Sequence, residues 1–297
     1  MRWLLVFMVW LGSVYASCGC GDSCMCKEEA CGYYCEEWFP DGGPLFKPFA
    51  ADPHEICYAA GWRFNDRIFC KDVIPVSFGD TIPVIRWRNV WPYGGDLEID
   101  LEADVWAIFD PLHESSPLIN ADYYIGFPII YAFDCWSFRL RGYHISSHIG
   151  DEYLLNHPHF HRKNPSAEYI DFFGSYNFGE CIRLFAGIGY IVHQDLSFHR
   201  NRFFSAIGGE VRVPGLGYAD CKRNFYGQPF FAVFFRGSRD FHKHIDASYS
   251  LGYEWGKLCG SERKLRLALE YHDGYSLEGQ FSRFPTNYFD VRLTYGW

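Results

Sequence analysis

The chain has 297 residues, room for one large domain or two small ones, and it is rich in aromatics, with 21 Tyr, 28 Phe and 10 Trp. A formal net charge of −9 argues against a nucleic-acid partner, which needs a basic surface. No run of about 18 apolar residues follows the N-terminus, which argues against a helical membrane protein, whereas aromatic residues suit strands and membrane interfaces.

Arg2, the short apolar core Leu4 to Val14 and the small-residue site Val14-Tyr15-Ala16 make residues 1–16 a signal peptide cleaved before Ser17. A second reading takes Tyr15-Ala16-Ser17-Cys18 as a lipoprotein box with Cys18 acylated. In both, the chain leaves the cytoplasm and its 12 cysteines meet an oxidising compartment. Cys18, Cys20, Cys24, Cys26, Cys31 and Cys35 lack the C-x-x-C pairs of a zinc ribbon, so disulfides are expected, with metal binding as the weaker alternative. Residues 17–53 read as a cysteine-rich periplasmic segment that ends in an irregular link through Gly42-Gly43-Pro44 and Pro48 to Pro53.

From residue 54 to 297 the pattern has period two. Leu97, Ile99, Leu101, Ala103 and Val105 fall on one face, and Asp96, Glu98, Asp100, Glu102 and Asp104 on the other. The alternation recurs at Ile245 to Trp255, Leu265 to Tyr271 and Phe289 to Trp297, where the chain ends. Weaker segments lie near 55–65, 73–91, 121–133, 136–149, 167–179, 181–193, 203–213 and 228–236. An apolar face about 10 residues long matches a bilayer crossing. The expected fold is therefore all-β: a transmembrane antiparallel up-and-down barrel of about 12 strands in the bacterial outer membrane. A water-soluble β-sandwich would need cover for all those apolar faces, and no helices are predicted to supply it.

An even strand count returns both termini to one side, the periplasm in bacterial barrels, where turns are short. Short turns at 92–95, 134–135, 180 and 258–262 alternate with longer linkers at 110–120, 150–166, 194–202 and 274–285; the long 214–227 linker is the exception. Cys57, Cys135, Cys181, Cys221 and Cys259 then share the short-turn side with the cysteine-rich segment, and Cys70 does not. This suggests a periplasmic disulfide network, including links to other envelope proteins. Inward charges of both signs, the acidic stripe against Arg86, Arg88, Arg139, Arg141, Arg183 and Arg212, should pair across the lumen and leave at most a narrow channel.

One strand carries residues suited to chemistry. In the 136–149 segment Trp136, Phe138 and Leu140 face lipid, and counting on by twos gives Gly142, His144, Ser146 and His148. Polar groups on a lipid face are costly, and residues two apart on one face lie within about 7 Å. A histidine base beside a serine makes a nucleophile for acyl transfer. The bland alternative is that these residues simply lie above the hydrocarbon. On the next strand, outward parity places Glu168 at the rim, where it could orient His144. In the long outer linker, Asp151 and Glu152 offer carboxylates for calcium, and His157, His159 and His161 offer ligands for a softer metal.

The His144-x-Ser146 arrangement resembles outer-membrane phospholipase A and lipid A deacylase, which carry a His and a Ser spaced this way on the barrel exterior. The resemblance implies His144 as base and Ser146 as nucleophile. Ser147 stands where the phospholipase pattern has Asn, and Glu168 stands in for that family's third residue, an Asn on the adjacent strand. More widely, Pro48–Pro53, Asn120–Gly126, Tyr143–Tyr153 and Glu270–Gln280 look like the family called domain of unknown function 1207, which implies a barrel and no established activity.

Two functions follow as expectations. One is an outer-leaflet lipid acyl hydrolase using His144, Ser146 and Glu168, with lipids as partners, calcium as a candidate cofactor and a second copy as a candidate pocket wall. The alternative is a non-enzymatic envelope protein: a narrow channel, or a disulfide-linked structural or surface element.

Overall fold

The structure is a computed structural model that describes residues 35–69, 71–241 and 246–297. Alternation of side chains decides the architecture. Along Gly95–Phe109 the acidic residues Glu98, Asp100, Glu102 and Asp104 are buried inside, while Leu97, Ile99, Leu101 and Ala103 face outward. Every long strand repeats this arrangement, so the sheet has an apolar outer face and a polar inner one. Its solution is closure, which satisfies all ladder hydrogen bonds and removes both edges.

Among the described residues there are fifteen strands, β1 Cys35–Trp38, β2 Tyr58–Asp66, β3 Lys71–Phe78, β4 Asp80–Val90, β5 Gly95–Phe109, β6 Leu118–Phe133, β7 Trp136–Ile149, β8 Ala167–Phe178, β9 Ile182–Gln194, β10 Phe203–Arg212, β11 Tyr218–Asp220, β12 Phe225–Ser238, β13 Asp246–Lys257, β14 Lys264–Tyr275 and β15 Pro285–Gly296. β3 and β4 act as one staggered strand, each pairing with part of β5. It breaks at Gly79, where a Cβ would overlap the Asp104 carboxylate that already accepts from Ser77 Oγ and Cys57 N. β15 pairs with β2, from Phe289 opposite Phe64 to Tyr295 opposite Tyr58, and this seam closes a barrel of 12 strands. β1 and β11 stand outside the ring. β1 pairs with Ile85–Arg88 of β4, and β11 pairs with the start of β12, which accounts for the long 214–227 connection.

The described cysteines at positions 35, 57, 135, 181, 221 and 259 all fall at the short-turn end, as the linker lengths predict. The expected disulfides to Cys18–Cys31, the signal peptide, the acylation site at Cys18 and the odd Cys70 lie outside the described residues.

The lumen holds a feature that periodicity does not reveal. Residues 43–57, expected as an irregular periplasmic link up to Pro53 and as the start of the first barrel strand beyond it, run inside the barrel. An irregular segment there must have its backbone polar groups satisfied by the wall. Arg86 Nη2 donates to Gly43 O at 2.9 Å, and Glu98 Oε1 accepts from Leu45 N at 2.7 Å. Arg183 donates to Lys47 O at 2.7 Å and to Pro48 O at 2.8 Å. Glu210 accepts from Ala50 N at 3.0 Å, and Arg292 donates to Pro53 O at 2.8 Å. Many of the expected luminal charges therefore hold a peptide as well as one another. Phe46 and Phe49 of this plug are buried with Phe173, Phe185, Phe230 and Phe234 of the wall, and Phe49 stacks on Phe185 at 4.1 Å between ring centres.

Candidate active site

β7 follows β6 through a two-residue turn, so its parity is fixed against a long, regular ladder with β6 on one side and β8 on the other. Ser137, Arg139 and Ser147 point inward and are buried; Trp136, Leu140 and His148 point outward and are exposed. His144 and Ser146 share the outward face, toward the long-loop end of the barrel. Around them the outer surface is apolar: Tyr123 and Ile125 of β6 pair with Ser146 and His144, and Ile170 lies next down β8 from Glu168. Tyr123 meets His148 edge-on at 5.3 Å. Girdles of Tyr and Trp occupy the interfacial depth of membrane barrels, and Tyr123 is a residue of that type.

Glu168 is directly across the ladder from His144, and His193 of β9 is directly across from Glu168. Three adjacent strands therefore present His144, Glu168 and His193 in one row. Glu168 Oε1 is 3.0 Å from His144 Nδ1, and Oε2 is 2.7 Å from His193 Nδ1. An ionised carboxylate only accepts, so both Nδ1 atoms donate, and in the neutral ring Nε2 of His144 is then an acceptor. That nitrogen receives Ser166 Oγ at 3.4 Å. The ring of His144 is thus engaged at both nitrogens while its side chain stays 38% exposed.

The expected orienting contact between Glu168 and His144 is present. Ser146 shares the face with His144, but its hydroxyl has no hydrogen-bond partner among the described residues. Ser147, the position after it, points inward and donates to Asn120 Oδ1 at 3.1 Å. Ser166 and His193 were missed by the sequence reading. Ser166 fell in the 150–166 linker, although parity counted back from Glu168 reaches it; His193 lies at the tip of β9 on the inward parity of Arg183 and Phe185, and only the register shift between Glu168 and Tyr169 turns it outward.

Asp151 and Glu152 open a short helix, α1 Asp151–Asn156, and both are exposed. Glu152 accepts from Ser115 Oγ at 3.4 Å. His157 donates from Nδ1 to Tyr153 O at 2.8 Å and stacks on the Tyr153 ring. Calcium takes six to eight oxygen ligands, and among the described residues no group of three or more His, Cys, Asp or Glu gathers to hold a metal ion. This donor set does not by itself fit calcium, and no step is routed through one.

The barrel is similar to solved outer-membrane structures. The calcium-bound dimeric outer membrane phospholipase (OMPLA) of Salmonella typhi aligns at a TM-score of 0.53 with 14% identity, over 84% of this chain and 94% of that one. Outer membrane phospholipase A from Escherichia coli aligns at 0.51 with 12% identity, over 84% and 93%. LpxR from Salmonella typhimurium aligns at 0.39 with 10% identity, over 81% and 99%. At these identities the likeness to the phospholipases is one of fold. No curated protein matches the chain. A family model does match it, over residues 22–297, and the chain belongs to that family, described as protein of unknown function (DUF1207).

Proposed function

We propose that this protein is an outer-membrane acyl hydrolase that cleaves lipid esters at the barrel exterior, with His144 as general base and Glu168 as the group that orients it. One observation carries the reading: a histidine on the lipid-side face, held through Nδ1 by a carboxylate on the neighbouring strand, with a serine hydroxyl at its other ring nitrogen. Polar residues at the end of a membrane strand need no such ordered partners. A triad-type base does, because the carboxylate fixes the tautomer and stabilises the imidazolium that forms when the base takes a proton.

The substrate class follows from position. The site lies among Tyr123, Ile125 and Ile170, at the depth of the aromatic belt, where acyl ester bonds of lipids are found. With the short-turn end in the periplasm, as is usual for bacterial barrels, that belt is in the outer leaflet. The fold similarity to outer membrane phospholipase supports the reading, and the dimeric state of that relative supports a second copy as a partner here.

The test is fatty-acid release by the purified, folded barrel from phospholipid and from lipid A in mixed micelles, each with calcium and with chelator. We expect release from at least one substrate and a loss of at least a hundredfold in His144→Ala. A folded barrel that leaves both lipids intact under both conditions would refute the proposal.

A second reading is favoured by the plug. A lumen occupied by residues 43–57 suits a closed structural barrel better than a channel, and cysteines gathered at one rim suit disulfide links to other envelope proteins. Conductance measurements and non-reducing electrophoresis of native envelopes address those two parts.

A further inference from the structure

We infer that Ser166, not Ser146, is the hydroxyl that His144 activates; this rests on the hydrolase reading above. Glu168 and Ser166 are two residues apart at the head of β8 with Ala167 buried between them, so both project from the outer side, within about 7 Å of each other. The His144 imidazole bridges that gap. Its Nδ1 donates to Glu168 at 3.0 Å and its Nε2 accepts from Ser166 at 3.4 Å. Carboxylate, imidazole and hydroxyl therefore stand in the order that acyl transfer requires, with the orienting acid and the nucleophile on opposite ring nitrogens. A contact of this length in an unliganded site is of the kind that tightens when substrate binds.

Ser146 is disfavoured by the same geometry. It lies on β7 itself, on the side paired with Tyr123 of β6, whereas the ring is held toward β8. Both ring nitrogens are already engaged, so for Ser146 to serve, His144 would have to leave Ser166. The residues before β8 add to the case. Asn164 Nδ2 donates to Asp195 at 3.0 Å, Asn164 N donates to Ser197 Oγ at 3.1 Å, and Ser166 N donates to Asn164 Oδ1 at 3.4 Å. The strand head carrying Ser166 is tied to the neighbouring loop, so its hydroxyl is placed and not carried on a free linker.

Hydrolysis at this site runs through an acyl-serine and returns every group to its starting state. Ser166 Oγ attacks the ester carbonyl carbon as its proton passes to His144 Nε2, giving a tetrahedral intermediate. The bond from carbonyl carbon to the lipid alcohol oxygen breaks, and that oxygen takes the proton from Nε2. Water then attacks the acyl-Ser166 carbonyl, gives its proton to Nε2, and the C–Oγ bond breaks as Oγ takes the proton back. One ester and one water yield one alcohol and one carboxylic acid. Glu168 stabilises the imidazolium in each half without accepting its proton.

The experiment is covalent labelling of the full chain, folded in detergent, with a long-chain alkyl fluorophosphonate, followed by mapping of the modified peptide. Attack by serine on phosphorus expels fluoride and leaves a stable adduct. Fatty-acid release is measured in parallel, and folding of each variant is checked by heat-modifiable electrophoretic mobility. We expect the adduct on Ser166, its loss in Ser166→Ala and in His144→Ala, and hydrolysis reduced at least about a thousandfold in Ser166→Ala but within about threefold of wild type in Ser146→Ala. An adduct on Ser146, or full loss of hydrolysis in Ser146→Ala with Ser166→Ala active, overturns the assignment and leaves the hydrolase reading standing. Neither adduct nor hydrolysis in the folded wild type overturns both. If Ser166→Ala does not fold, the adduct position in the wild type decides.

Discussion

Glu168 and His144 face one another across the β7–β8 ladder, with Oε1 and Nδ1 3.0 Å apart, and the second carboxylate oxygen is taken by His193 at 2.7 Å. Glu168→Gln should separate the two contacts. An amide has one accepting oxygen, so it serves one histidine and presents N–H to the other, and it offers no charge to an imidazolium. The expected result is a kcat lowered by about ten- to a thousandfold with KM nearly unchanged, because the lost interaction is made in the transition state. His193→Ala removes the outer partner of the row, which is 77% exposed, and should change kcat by less than about tenfold. Steady-state fatty-acid release checks both, and an unchanged kcat in Glu168→Gln would remove Glu168 from the mechanism.

His144 and Glu168 were legible in the sequence because side chains alternate along a regular membrane strand. The same count that puts Leu140 in lipid puts His144 beside it, and Glu168 follows from the neighbouring strand. The strand count came from the same rule, and the short-turn end of the cysteines from the lengths of the linkers. What stayed hidden depends on contacts across strands, which one-dimensional alternation does not carry. Ser166 sits at a strand boundary, the least certain part of any periodicity reading, and His193 acquires meaning only when β9 is set in register against β8. The plug was hidden for a different reason. Gly42 to Pro53 has no period, so its composition reads as a link, and nothing local says that Arg183 and Glu210, more than a hundred residues on, will bind its backbone.

The plug should be held firmly. Arg183 donates to two buried carbonyls, Lys47 O and Pro48 O, and lies 3.6 Å from Glu210. Arg183→Ala leaves both carbonyls unsatisfied in the lumen, at a cost on the order of 3 kcal/mol. The variant should lose its heat-modifiable folded form at a lower temperature than wild type. Deletion of residues 43–53 goes further and empties the lumen, so it should raise single-channel conductance in planar bilayers from near zero to measurable steps. Equal conductance with and without the segment would show that it does not close the barrel.

Phe49 is the apolar counterpart of that grip. It is buried and meets the rings of Phe46, Phe173, Phe185 and Phe234. Phe49→Ala should destabilise the folded barrel by about 3–5 kcal/mol, the usual range for a buried ring lost to a cavity. Phe49→Leu should cost less, since it fills most of the same space. Reversible urea unfolding into lipid vesicles measures the difference, and a loss under 1 kcal/mol for the alanine variant would mean that the plug does not pack in solution as it does here.

The outer face makes an opposite demand. Leu251, near the middle of β13, is flanked by Phe231 and Leu269 on the neighbouring strands, and all three are exposed on the barrel exterior. Leu251→Arg should cost about 2–4 kcal/mol in a bilayer, the range for an arginine at the midplane of a barrel. The same substitution would be mild on the exposed face of a water-soluble sheet. The comparison is therefore a direct test of membrane embedding, read from the folding equilibrium in vesicles.

Orientation decides which leaflet His144 would meet. Cys135 is exposed in the β6–β7 turn at the short-turn end, and Leu196 is exposed in the loop after β9 at the other end. With the short turns in the periplasm, a membrane-impermeant maleimide applied to intact cells should leave Cys135 unmodified and label a Leu196→Cys variant at position 196, as mapped by peptide mass. Permeabilising the outer membrane, after reduction of any disulfide at that rim with a phosphine that is then removed, should make Cys135 reactive. Because the barrel fixes both ends rigidly, the two sites must report opposite sides. Labelling of Cys135 in intact cells with position 196 protected would reverse the barrel and move the His144–Glu168 row to the inner leaflet, where a hydrolase would act on a different pool of lipids.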